Sequence, residues 1–222
     1  MTDEKVIESY KIVLIGESGV GKTSLISQLM DQTFQHDQQS TTGGTFSTKT
    51  AICDNNRTLK LEIWDTAGQE RYRSLTTMFY KDANAAVLVF DITRKDSFEQ
   101  LEEYWTKQIK ENSPSDIILA VCGNKSDLVE KEEVNEGVAR KFAENLGAVF
   151  VSTSAKNIDQ VNNLFMQLVK LYTKCNDVKF VEEEDSTLYK QRKDTVKITK
   201  ENTIYYKSLF VLTKTTVPKK EK

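Results

Sequence analysis

The sequence predicts a doubly wound α/β domain built on a mostly parallel sheet. Four short segments, 11–15, 85–90, 117–122 and 149–152, are nearly continuous in apolar residues, as parallel strands covered on both faces are. Helical periods lie between and after them, so strand alternates with helix. Nine glycines, none beyond residue 147, gather mostly in four short motifs, where a backbone must bend unusually or approach a ligand closely.

The elements run in this order. Strand 11–15 passes through a glycine-rich turn into a helix over 22–30. Residues 46–53 and 58–64 read as two further strands joined at Asp54-Asn55-Asn56, a turn-forming cluster, which brings the expected total to six. In the second of these, Leu59, Leu61 and Ile63 point one way and Lys60, Glu62 and Trp64 the other. That parity puts a tryptophan on the polar side. It is either an edge Trp covered by a neighbouring loop or an exposed anchor for a partner.

After strand 85–90, Phe98, Leu101, Trp105 and Ile109 share one helical face, with Asp96 and Glu99 placed like a capping pair. Strand 117–122 precedes Val134, Val138, Phe142 and Leu146, repeating every fourth residue, and Gly147 stands where that helix would stop. After strand 149–152, Ile158, Val161, Leu164, Phe165 and Leu168 form a third stripe.

The globular domain is expected to span 1–174. The tail, 175–222, is expected to be disordered. Beyond Cys175 it carries eleven Lys or Arg against eight Asp or Glu, with no glycine and no sustained amphipathic period.

Composition excludes several classes. The 222 residues suit one ordinary α/β domain with an appendage, and a formal charge of −2 gives no global field for nucleic acid. No apolar run approaches the roughly 18 residues of a membrane span. Met1 to Lys5 are polar and charged, unlike a signal peptide. Cys53, Cys122 and Cys175 are odd in number without metal spacing, which reads as a reducing compartment. The only histidine is His36, so a multi-histidine metal site is impossible.

Three motifs carry chemistry. Gly16-Glu17-Ser18-Gly19-Val20-Gly21-Lys22-Thr23 satisfies G-x-x-x-x-G-K-[ST] between a strand and a helix. Its N–H groups and the helix dipole form an anion nest, Lys22 reaches the β and γ phosphates, and Thr23 ligates Mg²⁺. By itself this does not distinguish ATP from GTP. Trp64-Asp65-Thr66-Ala67-Gly68-Gln69-Glu70 ends the next strand. There Asp65 can hold the metal's water shell, Gly68 can bring its N–H to a γ-phosphate, and Gln69 can orient a water for in-line attack. Asn124-Lys125-Ser126-Asp127 comes after strand 117–122, and a carboxylate at Asp127 can accept from guanine N1–H and its exocyclic amine, which adenine does not offer. Ser154-Ala155-Lys156 closes the base pocket.

In this order the motifs resemble the Ras superfamily of small GTPases and, within it, the Rab family, over about residues 8–174. The resemblance implies a P-loop NTPase of the small G-protein fold: a mostly parallel six-stranded sheet with helices on both faces and one antiparallel strand. Phe34, twelve residues after Lys22, falls where the family stacks an aromatic on guanine. Thr41, seven further on, falls where it places a Thr on Mg²⁺ and the γ-phosphate. Carried over, the nucleotide-binding set is Ser18, Gly19, Val20, Gly21, Lys22, Thr23, Ser24, Phe34, Thr41, Gly68, Asn124, Lys125, Asp127, Ser154, Ala155 and Lys156. The metal set is Thr23, Thr41 and Asp65, and Gln69 is catalytic. Phe46, Trp64 and Phe79 fall at the aromatic triad shown to effectors, and the stretch 76–92 is most similar to the early-endocytic branch.

The implied activity is a slow GTPase switch in vesicle traffic, cofactors GTP/GDP and Mg²⁺. Its implied partners are an exchange factor, a GTPase-activating protein and Rab effectors around a monomer. Two other readings differ in class. An interaction module would bind guanine nucleotide without turnover, which Gln69 argues against. A nucleotide kinase would leave Asn124–Asp127 unexplained. The residues Lys219-Lys220-Glu221-Lys222 hold no prenylation motif, and Cys175 is either a palmitoylation site or an inert thiol. Membrane association is therefore not expected from this sequence. The protein is expected in the cytosol, or on the cytosolic face of endosomal membranes if an anchor exists.

Overall fold

The computed structural model describes residues 7–36, 38–41, 44–68, 78–181 and 194–196. Strands β1 (Ile7–Ile15), β2 (Gly44–Cys53), β3 (Thr58–Thr66), β4 (Ala85–Asp91), β5 (Ile118–Asn124), β6 (Val149–Ser152), β7 (Val178–Val181) and β8 (Asp194–Val196) form one eight-stranded sheet. Its order is β6-β5-β4-β1-β3-β2-β7, with β8 also on β2. β1 pairs in parallel with β3 and β4, and β4–β5 and β5–β6 are parallel too. β2 is antiparallel to β3, β7 and β8, so among the described strands it alone runs against the rest.

Helices α1 (Lys22–Asp31) and α5 (Ile158–Thr173) cover one face; α2 (Lys95–Gln100), a π-helical turn (Leu101–Trp105), α3 (Thr106–Asn112) and α4 (Glu136–Asn145) cover the other. Successive side chains of a strand point to opposite faces. Ile12, Leu14, Val87 and Val89 therefore pack under Leu25, Leu29, Leu164 and Phe165. Val13, Ile15, Ala86, Leu88 and Phe90 pack under Phe98, Leu101, Trp105 and Ala139. Both sets are buried, which is why these strands read as unbroken apolar runs.

Three expectations need correction. Asp96 and Glu99 are not a capping pair: the residue before α2 is Arg94, with no side-chain cap, and the Lys95 N–H is satisfied by Glu133 Oε2 at 2.9 Å. In α4 the fully buried residues are Ala139 and Ala143; Phe142 and Leu146 pack against the same core as expected, while Val138 departs from the stripe and is 55% exposed. The small alanines let the helix lie close to the sheet, and Val134, which precedes the helix, joins the same core. The helix does end at Gly147, whose φ of 68° lets the Gly147 and Ala148 N–H groups return to Glu144 and Ala143.

The third correction is at the chain's far end. The described structure passes Lys174 into β7, which pairs with Thr50–Cys53 of β2, and β8 pairs with Gly44–Phe46. The sheet therefore has eight strands rather than six, and part of the segment expected to be disordered is strand. β2 would otherwise leave an edge of unpaired N–H and C=O groups. Val178 is buried and Phe180 packs against the core while Lys179 points to water, a short period-2 pattern inside a polar context. Asp54 secures the crossover: its N–H donates to the Asp177 carbonyl at 3.1 Å and its carboxylate accepts from the Asn176 N–H. The other residues after Val181 lie outside the described residues, as does Gln69.

Candidate nucleotide site

The cleft lies at the carboxyl ends of β1, β3, β4, β5 and β6, where an open α/β sheet places its ligand site. Its volume is about 360 Å³. Five separate stretches of the sequence build it.

The turn after β1 supplies the anion nest. Gly16, Gly19 and Gly21 have φ of 142°, 78° and 98°, conformations that favour glycine. A Cβ on Gly16 would collide with the Val89 carbonyl oxygen, and one on Gly21 with Asn124 Nδ2. Lys22 opens α1 but folds back: its Nζ donates to the Gly16 and Glu17 carbonyls, both at 2.8 Å. Burial holds this ammonium down at about 8. Buried charge without a full counter-charge is costly, so this cation is poised for an anion in the cleft.

Thr23, Thr41 and Asp65 converge. Thr23 Oγ1 lies 2.9 Å from Thr41 Oγ1 and donates to Asp65 Oδ2 at 2.7 Å; Thr41 Oγ1 reaches the same oxygen at 3.3 Å. Asp65 is 1% exposed, and burial raises its carboxyl above the usual range. Its Oδ1 is buried with no hydrogen-bond partner among the described residues. Two hydroxyls and an orphaned carboxylate oxygen form a hard-oxygen donor set, the chemistry Mg²⁺ takes when phosphates and water complete its shell. Gly68 closes this side. A Cβ there would lie 2.5 Å from Glu17 C and Ser18 N, so the start of the loop after β3 rests on the phosphate-loop backbone.

The far end is a base-sized pocket. Asp127 accepts from Ser154 Oγ at 2.6 Å and from Lys156 Nζ at 2.7 Å. Burial works to raise its carboxyl, but hydrogen bonds from Lys156 and Ser154 outweigh that and hold it below its ordinary value. Asn124 donates from Nδ2 to the Val20 carbonyl at 2.8 Å, tying this pocket to the phosphate loop. Lys125 takes a left-handed φ of 67° and is held there by Asp91 Oδ2 at 2.6 Å. Phe34 stands at the rim, its ring 5.5 Å from Lys156 Nζ and edge-on to His36 at 5.0 Å. Ser24, on α1, donates to Gln38 Oε1 at 2.9 Å. Ala155 and Lys156 also line the cleft.

All the nucleotide-binding and metal candidates among the described residues thus meet at one cleft, with Val20 and Asp65 just behind its wall. Sequence reasoning missed two supports. Asp91 anchors Lys125, and Gln160 Oε1 accepts the Ser154 N–H at 2.7 Å. Asp91 left a signal, because a carboxylate ending a fully apolar strand must find a cation; Gln160, on a helix surface, left none. Phe46, Trp64 and Phe79 form a separate aromatic row, with ring centroids 5.1 Å and 5.4 Å apart. Trp64 is half-buried under these neighbours and Lys11, and its buried indole N–H has no partner among the described residues.

The Ras family matches residues 11–174. Rab-31 of Mus musculus is 45% identical over 159 residues, which cover 72% of this chain and 80% of the relative. Rab-5A of Dictyostelium discoideum is 42% identical over 170 residues (77% and 84%), and human Rab-22A is 40% identical over 162 (73% and 82%). The chain belongs to the Ras family, as a Rab small GTPase of the early-endocytic branch. It is an enzyme that hydrolyses GTP to GDP and phosphate, and a GTP-dependent switch regulating vesicle traffic; a binding module without turnover is not favoured. Ras-family GTPases bind GTP or GDP, typically with Mg²⁺, and work with exchange factors, activating proteins and effectors.

Proposed function

We propose that the cleft takes GTP with its guanine at Asp127 and its phosphates over Gly16–Thr23, and that Thr23, Thr41 and Asp65 would hold Mg²⁺. The observation that supports this best is the orphaned, buried Asp65 Oδ1 beside two threonine hydroxyls. The metal supplies charge neutralisation at the phosphates. Lys22 exchanges two carbonyl partners for phosphate oxygens, gaining a counter-charge. Thr41 and Gly68 bring their loops to the γ-phosphate, and Gln69 orients the attacking water. Loss of the γ-phosphate removes what those two loops share, so they relax. Asp127 selects guanine, because guanine's N1–H and exocyclic amine can donate to its carboxylate and adenine offers neither pattern.

The remaining roles extend this reading. Phe46, Trp64 and Phe79 dock effectors. An exchange factor and a GTPase-activating protein set the rates, and the protein works as a monomer in the cytoplasm, or on the cytosolic face of endosomal membranes where an anchor holds it. No helix among the described residues is long and apolar enough to cross a membrane.

Calorimetry with GTP, GDP and ATP, with and without Mg²⁺, tests the site. GTP and GDP should bind at least a thousand-fold more tightly than ATP, and metal removal should weaken binding in the native chain but barely in Asp65→Asn. Equal affinity for ATP would overturn the base pocket. Equal metal dependence in Asp65→Asn would overturn the metal set.

A further inference from the structure

The tip of the phosphate loop is gripped from its outer side by residues that do not line the cleft. Arg94 Nη1 donates to the Ser18 carbonyl at 3.2 Å, and Trp105 Nε1 donates to Glu17 Oε1 at 3.2 Å. Both come from the segment after β4. Asp91 shapes its start by accepting from the Thr93 N–H and hydroxyl at 2.9 and 2.7 Å, which sets Arg94 beside the loop in extended backbone, φ −141°. Trp105 is fully buried at the end of the π-helical turn. Such a turn adds a residue relative to an α-helix and rotates the residues beyond it, a feature concentrated at functional sites.

Peptide planarity gives these contacts a consequence for the cleft. In a trans peptide the C=O and the following N–H point in opposite directions. With the Ser18 carbonyl held outward by Arg94, the Gly19 N–H faces the other way, and Gly19 lines the cleft. Glu17 presents a different problem: a carboxylate at the tip of an anion nest repels phosphate. The Trp105 N–H keeps it on the outer side. From within, Lys22 holds the Gly16 and Glu17 carbonyls and Gly68 abuts Glu17 and Ser18.

Resting on the cleft as the nucleotide site, we propose that Arg94 and Trp105 are positioning residues that hold the phosphate loop in its anion-binding form. Arg94 aims the Gly19 N–H, and Trp105 turns the Glu17 charge away.

The test is release of fluorescent GDP from the full chain and from Arg94→Met, Arg94→Lys, Trp105→Phe and Trp105→Phe combined with Glu17→Gln. Arg94→Met should release GDP about ten-fold faster, equivalent to about 1.4 kcal/mol, with an unchanged Tm; Arg94→Lys, which keeps a cationic donor, should recover most of that. Trp105→Phe keeps a smaller aromatic ring in the core but loses the N–H, and should release several-fold faster. Glu17→Gln, added to Trp105→Phe, removes the charge that the lost N–H no longer restrains and should bring release back towards the native rate. Competition by guanosine, which has no phosphate, should be the same in all variants. The proposal falls if Arg94→Met releases GDP within two-fold of the native rate, or if guanosine affinity drops in parallel with GDP. A rate change that tracks Tm loss and is not restored by Arg94→Lys also overturns it. Failure of the native chain to retain GDP would instead overturn the assignment of the cleft.

Discussion

Replacing Gly68 by alanine probes how closely the loop after β3 must approach the phosphate loop. The added Cβ would lie 2.5 Å from Glu17 C and Ser18 N and 2.6 Å from Glu17 O, against an ordinary contact of about 3.5–4 Å between carbon atoms. All three are backbone atoms of a loop held by Lys22 and Arg94, so the alanine, not the loop, must yield by about 1 Å. An N–H within hydrogen-bond reach of a γ-phosphate would then stand near 4 Å, beyond that reach. Hydrogen bonds to charged groups contribute about 1.5–3 kcal/mol, so affinity for a non-hydrolysable GTP analogue should fall by roughly ten-fold to a hundred-fold. GDP has no γ-phosphate and should bind as before. Competition calorimetry on one preparation reads the ratio of the two affinities. If that ratio is unchanged, or GDP weakens equally, Gly68 is only a packing residue and the argument fails.

Four further outcomes rest on individual contacts. Burial holds Lys22 at about 8 in the nucleotide-free protein, so between pH 8 and about 10.4 the unfolded chain binds more protons and stability rises with pH. Nucleotide binding runs oppositely, because phosphate favours the ammonium. Affinity should fall by up to about ten-fold per pH unit above 8 with measurable proton uptake, and a flat profile from pH 8 to 9.5 would count against it. Asp127→Asn should lose guanine affinity and prefer xanthine nucleotides, whose exchanged carbonyl suits an amide donor; retained GTP preference in the same titration would rule out the base contact. Trp64→Phe should cost under about 1 kcal/mol, since the indole N–H has no partner among the described residues. Trp64→Ala should cost roughly 2 kcal/mol in thermal denaturation and weaken effector capture as well. Val178→Asp places a carboxylate at a 2% exposed site and should lower Tm by about 5–10 °C; an unaltered Tm would show that β7 contributes nothing to the domain.

The sequence by itself determined the sheet's middle and the chemistry of its rim. Strands buried on both faces have no choice but to be apolar throughout, so β1, β4, β5 and β6 announced themselves. A phosphate nest needs glycine at left-handed φ, so Gly16 to Thr23 could be read residue by residue. Those constraints are local, and a linear text records them. Three matters are not local, and only the tertiary structure decided them. The family resemblance named Thr23, Thr41 and Asp65, but that both hydroxyls meet on one Asp65 oxygen follows from the start of α1, the loop before β2 and the end of β3 lying at the same edge of the sheet. β7 exists because β2 offers unpaired backbone groups, and backbone pairing asks little of the side chains of Val178–Val181 beyond alternation. Arg94 and Trp105 reach the phosphate loop through a bend after Asp91 and a widened helical turn. Backbone geometry of that kind leaves no signature in residue type.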